Sequence, residues 1–266
     1  MTWVMRGQAR LHVQVRGTGR PVLLLPALGR GVHDFDGLAD SLSAAGYRAI
    51  MFSPRGVGKS TGVYPGLNIQ DFVEDALAVL DAVAPGERAA IVGATFGNRV
   101  ARALAQLMPG RMAAVVLLAA GGAVAPEPQA TETARAAMAA IMAGRDPDIA
   151  EAQVYFSRQT DLTRSGLFAR FTRDWWPDAL AAQRDAARHS APSVGVPNLP
   201  LTILQGADDR IAPPANGRAL AQSASNARLI ELPARGHLML LEDTGDVTAA
   251  ILSAIARGDW SGRTRL

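Results

Sequence analysis

Apolar positions along the chain fall into two alternating kinds of run. Short, nearly unbroken runs at 21–26 (PVLLLP), 47–52 (YRAIMF), 88–93 (RAAIVG), 113–120 (AAVVLLAA), 199–206 (LPLTILQG) and 227–233 (ARLIELP) have the length and density of strands buried on both faces. Between them, Phe35, Leu38, Leu42 and Ala45 repeat at helical spacing up to Gly46, and Phe72, Ala76, Leu77 and Leu80 mark one face of a helix over 69–83. Further helices are predicted over 95–108, 214–223 and 246–257. Near the start, Leu11 to Arg16 alternate like a strand and RGTGRP (16–21) supplies a turn, so a hairpin opens the fold. Strand and helix in alternation predict an α/β architecture: an open, mostly parallel, eight-stranded sheet with helices on both faces.

The rhythm breaks after residue 120. From 121 to 197 no strand is predicted, only an Ala/Arg-rich helical pattern punctuated by APEP, GRDPD and APSVGVP. Leu167, Phe168, Phe171 and Trp175 share one helical face, which suits packing between short helices or the apolar wall of a pocket. The expected organisation is a core made of 1–120 and 198–266, interrupted by a helical insertion over 121–197, with DWSGRTRL as a loose C-terminal tail.

Composition narrows the function. The 266 residues, 48% of them hydrophobic, suffice for one large domain or one domain with an insertion. The net charge is only +3, Lys59 is the sole lysine, and the arginines are scattered from Arg6 to Arg265 without interleaved aromatics, which argues against a nucleic-acid groove. With no cysteine, disulfides, thiolate metal sites and a cysteine nucleophile are excluded together. No apolar stretch has signal-peptide or membrane-spanning length, so the expectation is a soluble, cytoplasmic protein without membrane contact.

Ligands of open α/β sheets bind beyond the carboxyl ends of the strands. Three unusual local sequences fall there: Gly93-Ala94-Thr95-Phe96-Gly97, whose glycines permit a tight strand-to-helix turn; Gly206-Ala207-Asp208-Asp209-Arg210-Ile211-Ala212-Pro213; and Arg235-Gly236-His237. Their order is hydroxyl, acid, imidazole. In this the chain resembles the α/β-hydrolase fold family over nearly its whole length, with threonine where the family's nucleophile elbow carries serine. The resemblance selects Asp209, ahead of Asp208, from the Gly-x-x-Asp-x-x-x-Pro pattern. It matches Gly236, His237 and Glu242 to the family's Gly-His before an acidic helix start, and makes 121–197 a cap (lid) domain. SPRGVGKSTG is similar to the family's Asp-x-Arg-Gly-x-Gly-x-Ser loop, with Ser53 replacing the aspartate, and Pro26-Ala27 stand where the family usually has His-Gly.

The chemistry follows from the residue types. A hydroxyl needs a base to become a nucleophile; His237 fits that role, and a buried Asp209 would fix the imidazole tautomer. The resemblance assigns the oxyanion donors to the backbone N–H groups of Leu28 and Phe96. His33, Met142, Phe168, Trp175 and Trp176 are candidate pocket residues. His12 on its strand and His189 are expected at the surface.

A threonine at positive φ is an outlier because it is β-branched, and its methyl restricts χ1. Three readings stay open. The first is hydrolysis of a carboxylic ester, thioester or lactone of a small, largely apolar substrate through Thr95, Asp209 and His237, with neither metal nor organic cofactor. The second is a cofactor-independent lyase, isomerase or oxygenase with His237 as base and Thr95 orienting the substrate. The third is non-catalytic ligand binding on this scaffold. A second literal Gly-x-Ser-x-Gly, Gly58 to Gly62, also carries GKS like the end of a phosphate loop, but no helix start follows it.

Overall fold

The computed structural model describes residues 2–121, 129–142, 146–163, 166–188, 199–242 and 245–261, with the backbone alone at Met142. Among them are eight strands: β1 (Thr2–Arg6), β2 (Ala9–Arg16), β3 (Arg20–Leu25), β4 (Tyr47–Phe52), β5 (Ala89–Ala94), β6 (Met112–Leu118), β7 (Leu201–Gly206) and β8 (Ala227–Leu232). They form one sheet in the order β1-β2-β4-β3-β5-β6-β7-β8. β2 runs antiparallel to both its neighbours, and every other pairing from β4 to β8 is parallel.

The apolar strand runs are continuous because both faces are covered. Leu23, Leu25 and Ile91 point into one core with Phe72 and Leu80 of α2 (Ile69–Val83), Val100 and Leu104 of α3 (Phe96–Leu107) and Leu220 of α8 (Pro214–Ser223). Val22, Leu24 and Val92, one residue out of step, point into the other with Leu38 and Leu42 of α1 (Asp36–Ala44) and Ile251 and Ile255 of α10 (Asp246–Ala256). Between β6 and β7 the described residues hold helices and no strand: α4 (Glu132–Met142), α5 (Ile149–Ala152), a short 3-10 turn, α6 (Leu167–Arg173) and α7 (Pro177–Arg188). The short α9 (Met239–Glu242) follows His237. A third apolar cluster joins this helical segment, through Ile141, Phe156, Leu167 and Phe171, to Leu238 and Leu241.

Three expectations need correction here. The opening hairpin turns at Gly7, not at RGTGRP: β1 pairs with β2 from Thr2↔Val13 to Arg6↔Ala9, and β3 lies beyond β4. With β1 on one side and β4 on the other, His12 is only 4% exposed, its ring 5.3 Å from Trp3, and burial pushes its imidazole below the ordinary histidine value. The start of the tail is also fastened. The Asp259 N–H donates to the Ala113 carbonyl at 2.9 Å, its carboxylate accepts from Arg88, and Trp260 Nε1 donates to the Ile255 carbonyl. His189 and residues 262–266 lie outside the described residues.

Candidate active site

Three sharp chain reversals at the carboxyl ends of β5, β7 and β8 bring the candidate groups together. After β5, the chain enters α3 through Thr95, whose φ of 49° places a β-branched residue in a region glycine prefers. The turn closes because residue 97 is glycine: a Cβ there would run into the Leu25 carbonyl. The non-glycine residues with positive φ among those described are Thr95, Ala119 and Ala234, and each lies just past a strand of this sheet edge. Strain of this kind costs about 1–3 kcal/mol per residue and gathers where surrounding structure over-determines the backbone.

Past β7, Asp209 is 3% exposed and held on all sides. One oxygen, Oδ1, accepts from the Ile211 and Ala212 N–H groups, both at 2.9 Å, and the other, Oδ2, accepts from Gln205 Nε2 at 3.2 Å. His237 Nδ1 lies 3.0 Å from Oδ2 and 3.2 Å from Oδ1. With Nδ1–H given to the carboxylate, Nε2 is the basic nitrogen. Asp208, the neighbouring candidate, faces away: it accepts from the Arg158 N–H and guanidinium, each at 2.5 Å, and from Ser157 Oγ.

His237 and Thr95 line the same cavity, about 580 Å³ of space, together with Ala27, Leu28, Trp175 and Leu238. The Thr95 hydroxyl oxygen accepts from the Phe96 N–H at 2.5 Å and makes no hydrogen bond to His237. The Leu28 N–H has no hydrogen-bond partner among the described residues, while Gly29 next to it donates to Gln183 on α7 at 2.8 Å. So one of the two expected oxyanion donors is open and the other is covered by the threonine itself.

The remaining pocket candidates separate. Trp175 lines the cavity. Phe168 packs against the third apolar cluster, and the Phe96 ring stands edge-on to Phe72 in the sheet core at 5.2 Å. Trp176 turns to the loop after β3, its N–H on the Gly29 carbonyl and its Nε1 on Asp174. His33 does not reach the cavity: within the 3-10 turn Val32–Phe35 its side chain is 45% exposed and pairs with Asp36 at 3.2 Å. The side chain of Met142 lies outside the described residues.

Contacts that motif reading does not reveal hold the site from behind. Glu242, 6% exposed, accepts from Gly236 N–H at 2.6 Å with one oxygen, and from Ser157 N–H at 2.5 Å and Thr160 Oγ1 at 2.6 Å with the other. Leu238 N–H donates to the Tyr155 carbonyl at 2.9 Å. Residues 155–160 are thereby strapped both to the histidine loop and, through Asp208, to the acid loop. Arg30, 1% exposed, is neutralised by Asp34 at 2.5 and 2.8 Å and lies 5.1 Å from the Phe171 ring, which supports the loop carrying Leu28. The nearby carboxylates hold its pKa above the ordinary value despite its burial. Among the described residues no group of three His, Cys, Asp or Glu side chains is arranged to hold a metal ion, and no helix is long and apolar enough to cross a membrane.

Comparison with known proteins gives this architecture its family. The family described as serine aminopeptidase, S33, has a sequence model that matches residues 20–244, and the chain belongs to that α/β-hydrolase family. It is similar to BpoC of Mycobacterium tuberculosis H37Rv, whose name refers to a non-heme bromoperoxidase, at 30% identity over 257 residues, covering 90% of this chain and 95% of BpoC. A non-heme haloperoxidase of Rhodococcus erythropolis is 27% identical over 262 residues, covering 90% of this chain and 93% of its own. In fold, the chain matches the structure of a thermophilic esterase from Thermogutta terrifontis with a TM-score of 0.79 at 20% identity, over 96% of this chain and 98% of that one.

Proposed function

We propose that the chain hydrolyses a carboxylic ester, thioester or lactone of a small, largely apolar substrate, with Thr95 as nucleophile, His237 as base and Asp209 as the carboxylate that orients it. The observation that carries this reading is the His237 Nδ1 to Asp209 contact at 3.0 Å, with His237 and Thr95 facing one cavity. Nε2 of His237 takes the Thr95 proton as Oγ1 attacks the substrate carbonyl, and the oxyanion takes hydrogen bonds from the Leu28 and Phe96 N–H groups. His237 then returns the proton to the leaving oxygen or sulfur, and water reverses the sequence to release the acid. For the first step Thr95 Oγ1 must leave Phe96 N–H and swing toward His237, which frees that donor for the oxyanion. In this reading residues 121–197 form a cap over the strand ends, and Trp175 is part of its contribution to the pocket.

The threonine contact with Phe96 favours a second reading as well. A hydroxyl bonded to the backbone rather than to the histidine suits a substrate-orienting role, with His237 abstracting a carbon-bound proton in a lyase, isomerase or oxygenase reaction. A panel of short p-nitrophenyl esters, thioesters and lactones, run with wild type and His237→Ala, separates them. The hydrolase reading expects turnover that disappears in the variant; a folded wild type inert to the whole panel contradicts it.

A further inference from the structure

The loop after β3 carries Leu28, and much of what fixes its course comes from a distant part of the chain. Both polar backbone groups of Gly29 are engaged by the helical segment between β6 and β7. Its N–H donates to Gln183 Oε1 at 2.8 Å, and its carbonyl accepts from the Trp176 N–H at 3.0 Å. Arg30 donates to the Phe171 carbonyl at 2.5 Å, and the His33 N–H donates to Asp174 Oδ2 at 3.1 Å. The approach is close enough to need glycine: at φ 62°, a Cβ on residue 29 would stand 2.7 Å from the Leu180 Cβ on α7.

Gln183 is the unusual anchor among these. It is 1% exposed, is not among the residues that line the cavity, and shares the buried side of α7 with apolar Ala179, Leu180 and Ala186. Its Oε1 is used on Gly29, while its Nε2 is buried without a partner among the described residues. An unmet buried donor costs stability, so for packing alone an apolar side chain of similar size is the better residue here. What the amide adds is an acceptor for the Gly29 N–H. Without it that N–H is buried and unpaired, and the loop gains by turning it toward another acceptor.

We infer that Gln183 is a positioning residue for the oxyanion: by holding Gly29 it keeps the neighbouring Leu28 N–H fixed and unpaired for the charge that forms during attack. Such a donor works when its direction is set before charge develops, and a misplaced one loses most of its effect. The helical segment thereby completes a site whose other parts come from the sheet edge. This role in turnover rests on the hydrolase reading, whereas the hold on the loop is measurable without turnover.

The test pairs steady-state kinetics on a short p-nitrophenyl ester with amide exchange read by NMR, on wild type, Gln183→Met and Gln183→Glu. Gln183→Met fills the space without an acceptor for the Gly29 N–H. It is expected to lower kcat about 10–100-fold with KM within about twofold, because the oxyanion is absent from the ground state. Gln183→Glu keeps an acceptor oxygen and is expected to retain kcat within about threefold. In Gln183→Met the Gly29 N–H is expected to exchange at least about tenfold faster, with the Ile91 N–H of β5 unchanged as the control for global opening. A methionine variant with kcat within about threefold of wild type, a loss confined to KM, or unchanged Gly29 exchange overturns the proposal. A glutamate variant that melts like wild type and loses as much kcat as the methionine one overturns it too. Should the glutamate variant fail to melt cooperatively, the methionine variant's kinetics and exchange decide. A wild type inert to esters contradicts the hydrolase reading alone, and Gly29 exchange then decides whether Gln183 holds the loop.

Discussion

Two pentapeptides in this chain spell glycine, any residue, a hydroxyl residue, any residue, glycine. The first, 93–97, ends β5 and opens α3, so its central Thr95 is lifted to positive φ at the floor of a cavity. The second, 58–62, lies between β4 and α2, with only the Arg10↔Thr61 bridge as regular structure. Its Ser60, 5% exposed, donates to the Ser53 carbonyl at 2.6 Å and accepts from His12 N–H at 2.9 Å. The same letters thus give a hydroxyl residue lining a cavity in one case and a buried pin between β2 and the loop after β4 in the other. What differs is the flanking structure. A buried parallel strand feeding straight into a helix forces the reversal that exposes the apex residue, and a loop bridging to an antiparallel strand does not.

The contrast can be broken most severely at the histidine's partner. Asp209→Asn is expected to lower ester turnover about 10³–10⁴-fold, because an amide holds the imidazole in the wrong tautomer. Ser60→Ala leaves turnover unchanged, and steady-state kinetics on a short p-nitrophenyl ester checks both. The glycines sharpen the comparison next. Gly97→Ala drives a Cβ into the Leu25 carbonyl and costs about 3 kcal/mol. In Gly58→Ala the Cβ meets Ser53 Oγ at an ordinary 3.4 Å, so the change costs only the strain of positive φ, about 1 kcal/mol. Urea denaturation of both variants reads the difference.

Ser60→Ala removes an acceptor for buried His12 N–H and a donor for the Ser53 carbonyl, and is expected to destabilise by about 2 kcal/mol in the same assay. The smallest effect belongs to His12. Its folded-state pKa lies below its unfolded value, so the unfolded chain binds more protons as pH drops through the ordinary histidine range. Stability is then full above that range and declines as pH falls toward the lowered value. Thermal melts at pH 7 and pH 5 are expected to show a larger loss for wild type than for His12→Phe.

How much of this was legible in the chain follows from what each feature depends on. The parallel strands and α2 announce themselves locally: PVLLLP and AAVVLLAA are apolar because both faces are buried, and Phe72, Ala76 and Leu80 repeat with the helix. Thr95, Asp209 and His237 were readable as candidates because each sits in a short turn at a strand end. β1 was not, since as an edge strand it leaves Trp3 and Met5 exposed, at 39% and 62%, and shows little core pattern. Missing β1 also hid the burial of His12. The strap from Tyr155 to Thr160 depends on Glu242 and Asp208, some 50 to 85 positions away, and no local spacing records such a contact. His33 misled for the same reason. Proximity in sequence to the loop after β3 says nothing about the side of that loop on which the ring falls.

The central claim is that the apex threonine is an activated nucleophile. Intact-mass analysis after incubation with a fluorophosphonate tests it on wild type, Thr95→Ser and Thr95→Ala. The account expects one phosphonyl adduct on wild type, faster labelling of the serine variant because the crowding methyl is gone, and none on the alanine variant. An adduct on the serine variant with none on wild type would contradict it, and would leave Thr95 as a hydroxyl that orients a ligand beside His237.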